Sequence, residues 1–113
     1  MSENIPISDT VKTREVLIYD DSDRIRISLN AHFGVEPKVT IYKEDGTPAI
    51  EISSMEMDKD SRRIVLFGKK HNYRLYISSN ENGVGATAYD EEGKFIGACD
   101  FSKNKETGEY DNI

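Results

Sequence analysis

The chain has 113 residues, 36% hydrophobic and 32% charged, with a mean hydropathy of −0.63, which suits one domain with one modest core and excludes two ordinary ones. A formal net charge of −6 disfavours a surface that neutralises phosphates, so neither nucleic acid nor an anionic membrane is an expected partner. The single cysteine, Cys99, excludes an intramolecular disulfide and has no His or Cys at zinc-ligand spacing, so no metal or cofactor is expected.

Residues 1–14 are polar, include Pro6 and keep neither the helical nor the strand period, which predicts a flexible N-terminal arm. The arm lacks the basic and apolar regions of a secretory leader, and no later apolar run approaches the ~18 residues of a membrane span. A cytoplasmic location is the expectation. Glu15 to Tyr19 then begins a strand, Asp20 to Asp23 turns, and Arg24-Ile25-Arg26-Ile27-Ser28-Leu29 alternates strictly, as a sheet with one wet face requires. After a connection that ends near Pro37, Val39 to Ile52 reads as a hairpin around Asp45-Gly46, a pair suited to a two-residue turn. Ser53 to Ser61 extends its second strand and turns.

Arg62 to Phe67 is another strand, Gly68 to Asn72 a turn, and Tyr73 to Ile77 the return. Val84 to Tyr89, a turn at Glu92-Gly93 and Lys94 to Cys99 complete a fourth hairpin, with Gly83 and Gly85 read as relaxing a bulge. Residues 102–113 read as a polar C-terminal tail, leaving 15–101 as the domain.

An aromatic precedes each turn, at Tyr19, Tyr42, Phe67 and Tyr89, with intervals of 23, 25 and 22 residues. Eight and ten residues after these markers the apolar register is largely repeated: Ile27, Ile50, Leu75 and Gly97, then Leu29, Ile52, Ile77 and Cys99. Only the second and fourth hairpins carry an acidic-Gly turn, so the repeating unit is read as a pair of hairpins. The predicted fold is therefore all-β: a single domain of about eight antiparallel strands in four tandem hairpins, two four-stranded repeats, closed as a barrel or split into a two-sheet sandwich.

Asp20, Asp21 and Asp23 offer hard oxygens for calcium but lack the glycine and terminal glutamate of a full loop motif, so they read as turn residues. Glu56, Asp58 and Asp60 read as a solvated strand edge. His32 and His71 sit in predicted loops outside any nucleophile or metal motif, and Cys99 reads as a small buried hydrophobe. The cluster of Arg24, Arg26, Arg62, Arg63, Lys69, Lys70 and Arg74 reads as cross-strand partners for the abundant carboxylates. No catalytic, cofactor-binding or metal-ligating residue is assigned.

Tyrosine combines a large contact area with a polar tip, which makes Tyr19, Tyr42, Tyr73, Tyr76 and Tyr89 the candidate interaction surface. The resulting expectation is a non-enzymatic module for protein interaction or self-association. A small-ligand carrier, with the strands closed around an apolar cavity, is the alternative from a second class. An enzyme that gathers acids and histidines from distant loops is the third.

Overall fold

Each run of alternating β-branched and aromatic residues becomes a strand because its period is two residues, leaving no stripe for a helix to bury. A computed structural model describes residues 7, 9–32, 36–55, 61–81, 83–104 and 106–112, none of them helical. The strands are β1 (Glu15–Tyr19), β2 (Ile25–Asn30), β3 (Lys38–Tyr42), β4 (Pro48–Met55), β5 (Ser61–Phe67), β6 (Tyr73–Asn80), β7 (Gly83–Tyr89), β8 (Phe95–Lys103) and β9 (Tyr110–Asn112). They lie side by side in chain order as one nine-stranded sheet, each strand antiparallel to the next.

The four expected hairpins are all present, and the described strands form one antiparallel sheet that is not closed. Every connection joins neighbours, so each new strand extends the same edge, and no crossover starts a second layer. Closure would have to join the five-residue edge β1 to the three-residue edge β9. The segment read as a tail also differs. β8 runs to Lys103, and β9 pairs with it through Phe101↔Asn112, Ser102↔Asp111 and Lys103↔Tyr110. This turn is held by Asn104, whose Oδ1 accepts the Glu106 and Thr107 N–H groups, a side-chain cap that needs no apolar pattern.

All four tight turns share one construction. The first residue, Asp20, Lys43, Gly68 or Asp90, donates its N–H to the carbonyl four residues on and accepts the N–H three residues on. That third residue is left-handed in every case: Asp23 (φ 60°), Gly46 (φ 89°), His71 (φ 63°) and Gly93 (φ 88°). The predicted two-residue turn at Asp45-Gly46 is thus a three-residue loop closed by a left-handed residue, and Asp23 and His71 fill the place that glycine holds in the other two. Asp20 and Asp90 add the same brace, each Oδ1 accepting two N–H groups across its turn at 2.9–3.1 Å.

Immediately before each turn the register slips by one residue. The marker aromatics Tyr19, Tyr42, Phe67 and Tyr89 stand opposite Ile25, Pro48, Tyr73 and Phe95, which leaves Arg26, Ala49, Arg74 and Ile96 as the extra residues of four bulges. The markers therefore occupy one topological position. Arginine fills the bulge in the first and third hairpins, and each reaches across to the next hairpin. Arg26 Nε donates to the Tyr42 carbonyl at 3.2 Å, and Arg74 Nε to that of Tyr89 at 2.9 Å, supplying a donor where the ladder has ended. No bulge occurs at Gly83 or Gly85; the pairing there is continuous, and a side chain at Gly85 would collide with the Asp100 carboxylate.

Candidate interaction face

Cross-strand partners share a face, so the register assigns whole rows of side chains. One row reads Ile18, Ile27, Ile41, Ile50, Leu66, Leu75, Ala88 and Gly97 from β1 to β8; the next reads Val16, Leu29, Val39, Ile52, Ile64, Ile77, Ala86 and Cys99. These two rows contain no polar or charged residue. They are only partly covered: Ile18, Leu29, Ile41, Ile52, Ile64 and Leu66 are exposed, Ile52 by 45%, and neighbours such as Ile27, Val39, Ile50 and Ile77 are half-buried. Beyond them, towards the longer loops, the next row mixes Ala31, Pro37, Val84 and Phe101 with Arg14, Ser54, Arg62 and Ser79, and the surface sinks into an open trough of about 780 Å³ whose exposed lining is chiefly apolar.

The opposite face carries the polar alternates, yet it is the better covered. Ser28, Thr40, Ser53 and Val65 are buried there, and Val65, on the central strand β5 between Glu51 and Tyr76, is only 1% exposed. Long side chains lie over short ones. Tyr42 Oη is 3.4 Å from Ser28 Oγ, and Arg63 Nε donates to Ser53 Oγ at 2.9 Å. Arg63 also reaches Glu36 at 3.4 Å and Glu51 at 3.8 Å, while Lys38 meets Glu51 at 3.3 Å. Of the basic cluster, Arg63 pairs with carboxylates on this face, and Arg24 and Arg26 with Asp20 and Lys70 with Glu92 at the turns, whereas Arg62 and Arg74 donate to the Ser61 and Tyr89 carbonyls instead.

The candidate tyrosines belong to this second face. Tyr73 packs on Phe67 and Tyr76, each at 5.5 Å between ring centroids, and Tyr89 lies 6.3 Å from Phe95. Tyr19 and Tyr73 remain exposed, whereas Tyr42, Tyr76 and Tyr89 are half-buried. The structure does not gather all five into one patch, and it places none of them in the apolar rows.

His32 and His71 stand at opposite ends of the sheet, one beside the β2–β3 connection, where it meets Glu15 at 3.3 Å, and one in the turn before β6. The acidic turns spend their oxygens on backbone donors. Burial pushes the Asp20 carboxyl upward, but N–H groups of Arg24 and Ser22 and the Arg24 guanidinium outweigh it and hold the group below its ordinary range. Asp45 is lowered by the Thr47 hydroxyl and N–H, helped by the Lys43 and His71 charges. Among the described residues, no three His, Cys, Asp or Glu side chains converge on a metal-sized site. Glu56, Asp58 and Asp60 lie outside the described residues. Cys99, expected as a buried hydrophobe, is exposed because the row it belongs to is only partly covered.

No family model, curated protein or solved structure matches the chain. Among the described residues no helix is long and apolar enough to cross a membrane. What the sequence reading missed is the identity of the exposed surface. Its signal was already in the repeated register, since aligning the eight- and ten-residue offsets across four hairpins yields the two apolar rows directly.

Proposed function

We propose that the chain is a non-catalytic protein-interaction module and that its contact surface is the apolar face, rather than the tyrosines. One observation carries this reading: two uninterrupted apolar rows, eight strands wide, face solvent on a single-layer sheet. Contiguous apolar patches larger than a few hundred Å² are rare on monomers and mark contact surfaces. The repeat explains its size. Each added hairpin contributes the same four apolar positions, so duplication of a two-hairpin unit widens the face without altering its chemistry.

The test is methyl NMR with a soluble paramagnetic probe, which broadens whatever it can reach. When the contact is engaged, the methyls of Ile27, Ile41, Ile52 and Ile64 are shielded while Leu17, on the opposite face, stays accessible. Equal broadening of both faces under all conditions would contradict the proposal.

The trough supports a second reading. Its volume of about 780 Å³ and its lining by Val16, Leu29, Val39 and Ile52 fall within the usual range for small apolar ligands. A fluorescent fatty acid that binds one per chain, and is lost on Leu29→Lys, would favour that carrier role.

A further inference from the structure

We infer that the occupant of the apolar face is a second copy of this chain, so that two single-layer sheets stack into a two-sheet sandwich; the inference rests on the interaction reading above. Width comes first. Eight strands at ~4.8 Å spacing make a face about 38 Å across, whereas a helix about 10 Å in diameter covers only two strands and leaves the others bare. A sheet of equal width covers every strand at the usual ~10 Å separation.

Area agrees with width. The two apolar rows span about 14 Å along the strands, so each copy offers roughly 530 Å² and the pair about 1,100 Å², just above the ~1,000 Å² that a specific interface needs. Chemistry then favours self-recognition. An isologous contact sets one patch against its own copy, so an apolar patch meets an apolar patch and no charge is buried without a partner; the rows from Ile18 to Gly97 and from Val16 to Cys99 contain no charged residue. Arg14 and Arg62 stand on this face in the row beyond, at its loop end, where both are exposed at the rim of the two rows; the Arg63, Glu51 and Lys38 pairs lie on the other face and are unaffected by stacking.

The chain also needs the layer. Val65 is the single buried hydrophobic residue among the described ones, and it lies on the polar face, so the apolar rows contribute little burial until something covers them. A second copy converts the largest apolar surface of the molecule into a core shared by both.

The experiment is light scattering with sedimentation equilibrium on the full chain at tens of micromolar, on wild type, Ile64→Lys, Ile52→Ser and Leu17→Lys, with anilinonaphthalene sulfonate fluorescence in parallel. The expected result is twice the 12.8 kDa chain mass for wild type and Leu17→Lys, with dimer affinity reduced at least 100-fold in Ile64→Lys and at least tenfold in the milder Ile52→Ser. The wild-type mass decides the matter even where a face variant unfolds. A monomer that binds the dye through Ile64 would overturn the second copy while leaving the face as a contact for another partner. A monomer that takes up no dye, or a dimer indifferent to both face substitutions, would overturn the interaction reading as well. A mass that grows without limit would replace the closed pair by open-ended assembly and overturn the inference.

Discussion

Replacing His71 by glycine is expected to stabilise the chain, which tests whether the four turns are one device. His71 sits at φ 63°, the position that Gly46 and Gly93 occupy at 89° and 88°. An L-residue with a full side chain pays ~1–2 kcal/mol in that region, while glycine returns ~0.4–1 kcal/mol of that gain through the greater freedom of its unfolded chain. The balance is a stabilisation of about 0.5–1 kcal/mol. With unfolding entropy near 2.1 cal/mol/K per residue, or about 0.24 kcal/mol/K for the whole chain, Tm should rise by about 2–4 °C. The reciprocal change is Gly46→Ala. Nothing lies within 4 Å of an added side-chain carbon there, so only the backbone responds, and Tm should fall by a similar amount, about 2–4 °C. Differential scanning calorimetry reads both. The His71 imidazole gives up only a weak attraction to Asp45, so a fall in Tm on His71→Gly, or no change on Gly46→Ala, would refute the equivalence of the turns.

Three further outcomes follow from the same structure. Val65→Ala removes two buried carbon atoms from the centre of the polar face and should cost about 2–3 kcal/mol in urea unfolding, against less than ~0.5 kcal/mol for an exposed site such as Lys94→Ala. Arg74→Leu leaves the Tyr89 carbonyl without its 2.9 Å donor and should cost about 1–2 kcal/mol by the same assay, with the equivalent Arg26→Leu losing a similar amount at Tyr42. Asp45 is held below its ordinary value near 3.8, so it binds its proton more readily in the unfolded chain; its contribution is complete above that value and disappears as pH falls through the folded one. Asp45→Asn should therefore flatten the acid limb of a Tm-versus-pH profile below about pH 4 and leave the neutral region unshifted in shape.

Strand positions were legible because alternation and turn chemistry are local. The hairpin centred on Asp45-Gly46, the return at Glu92-Gly93 and the marker aromatics all stand where the residues imply. The layer count was not legible. Whether eight strands curl, split or stay open depends on contacts between residues far apart, and the same apolar rows would fill a barrel, a sandwich or an uncovered sheet equally well. Cys99 shows the consequence: its place in an apolar row was readable, but its exposure depended on a second layer. β9 was missed for a different reason, since Tyr110 to Asn112 pairs through backbone groups after an asparagine-capped loop. The arginines of the bulges were visible only as charge; that Arg26 and Arg74 brace the next hairpin's carbonyl requires the register slip to be known.

The most direct measurement on the apolar face is the dependence of Tm on chain concentration. A chain that folds by stacking two copies has an unfolding enthalpy near 0.7 kcal/mol per residue over both chains, about 160 kcal/mol, so a hundredfold increase in concentration should raise Tm by about 6 °C. The slope should vanish in Ile64→Lys and persist in Leu17→Lys. A wild-type Tm constant across that range, with a sharp two-state transition and the mass of one chain, would contradict the claim that the exposed rows are a contact between copies.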